Sequence, residues 1–437
     1  MKSPAIERLL APLADVRRHE VAGALLMTLL LFLLLGAYYL MKTAREVLIL
    51  TEAGAEVKSY SSAGQALLLL VLVPAYGAFA SRVRPVRLVT TVTLFFASHL
   101  VLFTAAVAAG RHVGVIYFLW VGIFNLMVIA QFWAFANDVY SEEQGRRLFP
   151  LIGVGGSLGA WLGSLRAGSL IETGSPSRLL LGAAVILVVC AALVPMVARR
   201  TARSGDRDSL VADAPLSREG GFELIRSDRY LALIAVLMFL VNVVNTSGEY
   251  LFGRYVVEQA ELLYSGVGAE AAAAREQFIG ETYARLFSTV NLVGFLLQAF
   301  VVSRLFNAIG VVRSLFVHPL VAMTGYLLML RAPSLQLIAV LKVADNSLDY
   351  SLGNTTRQAL WLPTTREAKY KAKQAVDSFF VRAGDVAQAG MVFAGERVGF
   401  TVPAFAAANV ALSGAWLVVV GLLVALRARR VASSPAL

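Results

Sequence analysis

Long apolar runs alternate with short polar segments along the whole chain. The runs are close to 20 residues long, which is the length of helix that crosses a hydrocarbon core of about 30 Å. The pattern predicts twelve membrane-spanning helices, at 21–41, 62–81, 88–109, 113–137, 149–171, 178–198, 229–252, 284–304, 311–330, 335–353, 374–395 and 402–426.

The composition agrees with this pattern. Of the 437 residues, 58% are hydrophobic, and the mean hydropathy of +0.70 exceeds that of a soluble domain with a polar surface. The predicted fold class is therefore an all-α, multi-pass membrane protein whose main surroundings are the lipid bilayer.

One long polar segment divides the chain. Arg199 to Arg229 is charged and contains Gly, Pro and Ser, and it separates six predicted spans from six others. We predict an N-terminal six-helix half at 1–198, a cytoplasmic linker at 199–228 and a C-terminal six-helix half at 229–437. The two halves echo each other weakly, as expected for the parallel six-helix repeats of major-facilitator transporters.

Basic residues gather at the N-terminus and in alternate loops, and they account for the net charge of +11. Lys and Arg mark cytoplasmic loops, so both termini are predicted to be cytoplasmic. The abundance of Ala, Arg and Gly fits a bacterial protein of the inner membrane. Basic loops beside anionic lipid explain the charge, and we predict no nucleic-acid partner.

No enzyme site or metal site is visible in the sequence. The single cysteine, Cys190, lies in an apolar run and cannot form an intrachain disulfide. His99 and His318 stand alone on apolar helices, and packing is the expected role of both. The glycines from Gly153 to Gly163 lack the Lys-Ser/Thr ending of a phosphate loop and indicate close helix packing. We predict no cofactor.

Ionisable residues inside spans are costly, so they normally face a protein interior, a partner or a water-filled path. Lys42, Arg45 and Glu46 are spaced i, i+3, i+4 and share one helix face. Alternatively, span one ends near Leu40 and the three residues lie in solvent or at the interface.

Glu249 occupies the corresponding helix of the second half. It follows the polar residues Asn242, Asn245, Thr246 and Ser247, which indicates that this part of the span faces a cavity. Alternatively, Arg254 neutralises Glu249 as a structural pair.

Spans ten and eleven carry further charges. Lys342 and Asp345, and likewise Arg382 and Asp385, are i, i+3 pairs, and we interpret both as structural bridges. Arg357 has no neighbour of opposite sign in its predicted helix. Because a guanidinium is a planar fork suited to phosphate or carboxylate, Arg357 is the better candidate for an anionic ligand.

A group of charges follows span four at the predicted cytoplasmic side. It includes Asp138 and Arg146, together with Glu142, Glu143 and Arg147. The group is either a gating salt-bridge cluster or a solvated loop.

Three segments resemble the nucleotide transporters of plastids and obligate intracellular bacteria, the ATP/ADP translocase family. These are Lys42-Thr43-Ala44-Arg45-Glu46, Phe132-Trp133-Ala134-Phe135-Ala136-Asn137 with the following Arg146-to-Pro150 stretch, and Tyr350-to-Arg357 with the lysine-rich stretch up to Asp377.

The resemblance implies a major-facilitator-like fold and an ATP:ADP antiporter that binds nucleotide. Arg45, Glu249 and Arg357 match residues that the family uses for transport, with the sign of each charge kept. The chain departs from the family at Val121, where a membrane glutamate is expected, and at Asp349 and Asp385, where the family has lysines. These departures imply that the solute can differ from ATP and ADP.

Three functions follow. The first is exchange of an anionic phosphorylated solute, with nucleotide foremost, by alternating access, with Lys42, Arg45 and Arg357 binding the solute and Glu249 positioning it or changing partners. The second is a proton-coupled carrier of another solute, with Glu46, Glu249 or Asp385 as the proton site. The third is a non-transporting membrane scaffold or sensor that keeps the same fold.

Overall fold

The computed structural model describes residues 16–17, 19–80, 83–172, 175–201, 220–331, 334–361, 363–365 and 367–433. Every regular element within these ranges is a helix, as predicted. Nine of the helical segments in this part of the chain are long and apolar enough to cross a membrane. The all-α, multi-pass fold class is confirmed, while the number of twelve spans stays a prediction. Most of the predicted linker lies outside the described residues.

The helices overlap the predicted apolar runs, and several extend well beyond them. They are α1 Val21–Ala80, α2 Pro85–Ala108, α3 Gly114–Val139, α4 Glu142–Glu172, α5 Pro176–Thr201, α6 Gly221–Ser227, α7 Arg229–Leu263, α8 Ala269–Leu296, α9 Val302–Ile309, α10 Val317–Arg331, α11 Leu335–Leu348, α12 Asn354–Ala359, α13 Lys373–Ala375, α14 Val381–Val398 and α15 Val402–Ser433. A 3₁₀ turn at Arg313–Phe316 precedes α10, and π-helical turns occupy Leu297–Val301, Asp349–Gly353, Ala368–Ala372 and Val376–Phe380.

Helix α1 consists of two helices joined at a kink. Gly54 has φ 79° and ψ 177°, a conformation that glycine adopts without steric cost and other residues avoid. The first helix therefore does not end near Leu40 but continues for more than a turn past Glu46. The alternative that Lys42, Arg45 and Glu46 lie beyond the end of span one is wrong, because the apolar residues Val47 to Leu50 continue the buried helix.

The chain forms two compact units. Unit 1 comprises the described residues within Met1–Glu52, Val71–Ala212 and Tyr264–Asn291, and unit 2 those within Ala53–Leu70, Asp213–Leu263 and Leu292–Leu437. The predicted division into halves at 1–198 and 229–437 follows chain order and stays a prediction.

In unit 1, the glycines of α4 let its backbone approach α1 closely. A Cβ placed on Gly159 would overlap the carbonyl oxygen of Phe32, and one on Gly163 would lie 2.6 Å from that of Gly36. Small residues allow such contacts between membrane helices. The interpretation of the glycine run as a packing surface agrees with this geometry.

Replacing Gly159 with alanine is expected to destabilise the protein by about 1 to 3 kcal/mol, because the added methyl group overlaps backbone atoms that cannot rotate away. Gly153→Ala is the matched control, since a Cβ there meets nothing within 4 Å. Thermal unfolding of the purified protein in detergent measures both effects. Equal losses in the two variants would contradict the packing explanation.

Unit 2 is built around α7. Helices α11, α14 and α15 pack on it, and α10 packs on α11 and α15. The predicted tenth and eleventh spans are interrupted by π-helical turns, such as Asp349–Gly353 directly after α11. Such turns are frequent at functional sites, because the wider turn redirects side chains.

Candidate functional site

The candidate residues of unit 1 lie on the first helix of α1. The Glu46 side chain is only 1% exposed, and one of its oxygens accepts hydrogen bonds from Arg45 Nε at 3.0 Å and Arg45 Nη2 at 2.5 Å. Burial strengthens this pair, because few water molecules compete for either group. The helix thus holds Arg45 in one orientation.

Aromatic rings surround both cations of this helix. The Nζ atom of Lys42 lies 4.2 Å from the ring centre of Phe287 and 5.3 Å from that of Tyr39. The guanidinium carbon of Arg45 lies 4.6 Å from the ring centre of Phe118. A cation over a ring face is attracted by the ring quadrupole, and the attraction grows where water is scarce. The arrangement combines positive charge for an anion with flat apolar surfaces.

In unit 2, Glu249 lies between two lysines. Its carboxylate oxygens are 3.2 Å from Lys342 Nζ and 3.7 Å from Lys58 Nζ, and the Asn346 amide donates to it at 3.2 Å. The alternative pairing with Arg254 is not observed. Arg254 instead binds Glu258 at 2.9 Å and Glu396 at 2.5 Å, since it lies more than one turn further along α7.

The predicted pair of Lys342 and Asp345 is present, at 3.4 Å, and Lys342 Nζ also donates to the side-chain oxygen of Asn245 at 2.7 Å. Asp345 has a second partner, since its other oxygen is 2.8 Å from His318 Nε2. His318 therefore has a carboxylate partner that the sequence analysis did not anticipate. The carboxylate comes from α11 rather than from the histidine's own helix, so helical spacing gives no sign of it.

Arg357 also has a partner. Its Nη1 atom donates to Asp349 Oδ1 at 2.6 Å, and the side chains are 16% and 14% exposed. The expectation that Arg357 lacks a neighbour of opposite sign is wrong. Helix side chains lean toward the N-terminus, and the long guanidinium reaches back over the π-helical turn to Asp349.

The predicted pair of Arg382 and Asp385 is present at 3.1 Å. Asp385 is buried, and it also accepts a hydrogen bond from Asn242 of α7 at 2.7 Å. The pair therefore joins α14 to α7, in agreement with a structural bridge.

Of the charges after span four, Arg147 forms an ion pair with Glu20, whereas Asp138 does not take part in that pair. Arg147 donates to both carboxylate oxygens of Glu20 at 2.8 and 3.0 Å, and Gln144 donates to the same carboxylate at 3.1 Å. Although burial opposes ionisation, these hydrogen bonds hold the pKa of Glu20 at about 2. Asp138 is exposed at the end of α3, and the side chain of Arg146 lies outside the described part.

Lys58 is a site residue that sequence reasoning missed. It lies just after the kink at Gly54, in a segment that belongs to none of the predicted spans. The segment packs in unit 2, where Ser59 contacts Gln388 and the ring of Tyr60 contacts that of Phe393. Lys58 is only 7% exposed, and a lysine this deeply buried is rare unless it is paired. The sequence does not show this burial, because it follows from how the segment packs.

Comparison with known proteins identifies the fold. The family model described as the TLC ATP/ADP transporter matches residues 2–115. No curated protein matches the chain. The similar segments at 132–150 and 350–377 lie beyond the family match, so their likeness to that family stays a prediction.

Three solved structures illustrate the fold. A bacterial homologue of the iron transporter ferroportin, in an inward-facing state, has 12% identity and a TM-score of 0.63, covering 94% of this chain and 100% of its own. The nucleoside transporter NupG has 13% identity and a TM-score of 0.54, covering 94% and 99%. The major facilitator superfamily transporter FucP, in the outward conformation, has 17% identity and a TM-score of 0.52, covering 93% and 99%.

These similarities agree with the architecture built from the residues. The likeness to the ATP/ADP transporter family is confirmed over residues 2–115, and the chain shares the fold of these solved transporter structures.

Proposed function

We propose that the protein exchanges an anionic, phosphorylated solute, with nucleotide as the foremost candidate, across the inner membrane by alternating access. The observation that carries the proposal is the pair of cations Lys42 and Arg45 against aromatic rings, within the region that matches the ATP/ADP transporter family. Both termini are cytoplasmic in this proposal, in accordance with the distribution of Lys and Arg.

The residues of unit 1 bind different parts of the solute. Arg45 is aligned by Glu46, and its guanidinium binds phosphate oxygens as a planar fork. Lys42 adds a point charge beside the Phe287 ring. Aromatic faces stack on nucleobases without strong preference among them. A solute that has both a phosphate and a base matches this combination better than a free phosphate ion.

The unit 2 residues supply charges that change partners. Arg357 binds the anion after leaving Asp349, and Glu249 holds Lys342 and Lys58 until the solute arrives. Lys58 comes from the first predicted half of the chain and Glu249 from the second. Both residues lie in unit 2, where Glu249 contacts two lysines and can keep one of them while it releases the other.

Ligand-dependent thermal stability tests the proposal. A ligand that binds only the folded protein raises its melting temperature by mass action, and at 100 times its Kd it adds about 2.7 kcal/mol. We expect ATP, ADP or AMP to stabilise the purified protein, and sugar phosphates and inorganic phosphate to do so less. Arg45→Ala should lose the effect.

The matched control is Arg304→Ala, because Arg304 is an exposed arginine that donates to a carbonyl of its own helical segment. It should respond to nucleotide as the unaltered protein does. The proposal fails if no nucleotide at millimolar concentration stabilises the protein, or if Arg45→Ala responds as strongly as the control.

A further inference from the structure

His318 occupies an unusual position in unit 2. It is 4% exposed at the start of α10, and its Nε2 atom lies 2.8 Å from Asp345 Oδ1. A carboxylate can only accept, so Nε2 carries a hydrogen and donates it. In a neutral imidazole this leaves Nδ1 as an acceptor. Within the part of the chain that the structure describes, Nδ1 is buried and has no hydrogen-bond partner.

A buried polar atom without a partner costs free energy and calls for an explanation. Protonation makes Nδ1 a donor and the ring a cation beside Asp345, and an oxygen of an anionic solute is then the acceptor that this N–H requires. The carboxylate stabilises that cation by its charge and by the hydrogen bond that it already accepts. His318 is therefore built to exist with or without a second proton.

The charged groups around His318 link it to the candidate anion site. Asp345 faces it from α11 and is itself paired with Lys342, and Trp416 packs on the ring from α15. On the opposite side, a Cβ placed on Gly353 would lie 3.2 Å from His318 Nδ1 and 3.0 Å from Arg357 Nη1. Nδ1 thus faces the same turn of the chain as the guanidinium of Arg357, which is held by Asp349.

We propose that His318 is the proton-binding residue that couples solute transport to a proton gradient. On the side of higher acidity, hydronium transfers one proton to Nδ1, so that an O–H bond breaks as the N–H bond forms. On the other side, Nδ1 returns the proton to water, and the N–H bond breaks as an O–H bond forms. The negative charge of Asp349 is then shared between two cations, the imidazolium of His318 and the guanidinium of Arg357. The guanidinium is then more readily released to an anionic solute.

Fluorescence of Trp416 tests proton binding without any solute. Its ring centre is 4.9 Å from that of His318, and an imidazolium quenches an indole that it contacts. Emission of the purified protein should fall as the pH is lowered, because protonation of the imidazole places a cation beside the indole. His318→Gln and Trp416→Phe should both remove this step.

His99→Gln is the matched control, because His99 stacks on a different indole, that of Trp120. It should leave the Trp416 step in place. Because His99 beside Trp120 can give a step of its own, both variants are compared in the His99→Gln background. A step that persists there in His318→Gln or in Trp416→Phe would overturn the proposal.

A transport assay distinguishes accumulation that is driven by a proton gradient from exchange of solute for solute. In proteoliposomes with acid outside, we expect labelled ADP to accumulate, and His318→Gln to lose this gradient-driven accumulation by at least about tenfold while exchange of external for internal ADP continues. Exchange without any response to the gradient would overturn proton coupling and leave the proposed function intact. If ADP neither exchanges nor accumulates, the proposed solute is wrong, and the fluorescence titration still decides whether His318 binds the proton.

Discussion

Arg357→Ala is expected to lower the rate of uptake of the anionic solute by about 10- to 100-fold at low solute concentration. A hydrogen bond to a charged group contributes roughly 1.5 to 3 kcal/mol, which corresponds to this range. Arg357→Lys keeps the charge, and the resembled family has lysine at this position, so this variant should retain part of the activity. Initial rates in proteoliposomes, measured against solute concentration, give the result.

The partner of Arg357 supplies a variant with the opposite effect. Asp349 holds the guanidinium at 2.6 Å, and it competes with the solute for that cation. Asp349→Asn should therefore lower the solute concentration at half-maximal rate. If Arg357 had only a structural role, removing either partner would harm transport in the same way.

Folding must be separated from binding in this test. Arg357→Ala leaves the carboxylate of Asp349 without its cation in a mostly buried position, which can lower stability. The double variant Arg357→Ala/Asp349→Asn removes both charges and should recover the melting temperature without recovering uptake. Normal uptake by Arg357→Ala would show that the anion binds elsewhere.

Sequence reasoning succeeded where the physical rule is local. The length of apolar runs determines which segments can cross a bilayer, and the helices follow those runs. Charges three residues apart share a helix face, so helical spacing was enough to predict the pairs of Lys342 with Asp345 and of Arg382 with Asp385.

The missed contacts depend on geometry that no spacing rule contains. His318 meets Asp345 because α10 packs on α11, and this packing follows from the whole fold. Arg357 meets Asp349 across a π-helical turn, eight residues back, where a regular helix predicts no contact. Lys58 reaches Glu249 because the kink at Gly54 starts a second helix. Ion pairs between residues of different helices thus depend on how the helices pack, and the spacing of residues along the chain does not show this.

Lys342→Met is expected to destabilise the protein by about 3 to 5 kcal/mol, the usual effect of removing one partner from a buried ionic group. Lys342 is 3% exposed and is shared by Glu249 at 3.2 Å and Asp345 at 3.4 Å. Methionine has nearly the same length and leaves no large cavity. The loss of stability therefore measures the repulsion between the carboxylates of Glu249 and Asp345, which are left with less compensating positive charge.

Two further variants make this result specific. Lys342→Met/Asp345→Asn removes one charge of each sign and should recover much of the loss, since Glu249 keeps Lys58 at 3.7 Å. Lys373→Met removes a lysine whose pair with Asp377 is largely open to water, and it should change stability by less than about 1 kcal/mol. Thermal unfolding in detergent compares all three. Similar melting temperatures for Lys342→Met and Lys373→Met would contradict the role of Lys342 as the cation that compensates the carboxylates of Glu249 and Asp345.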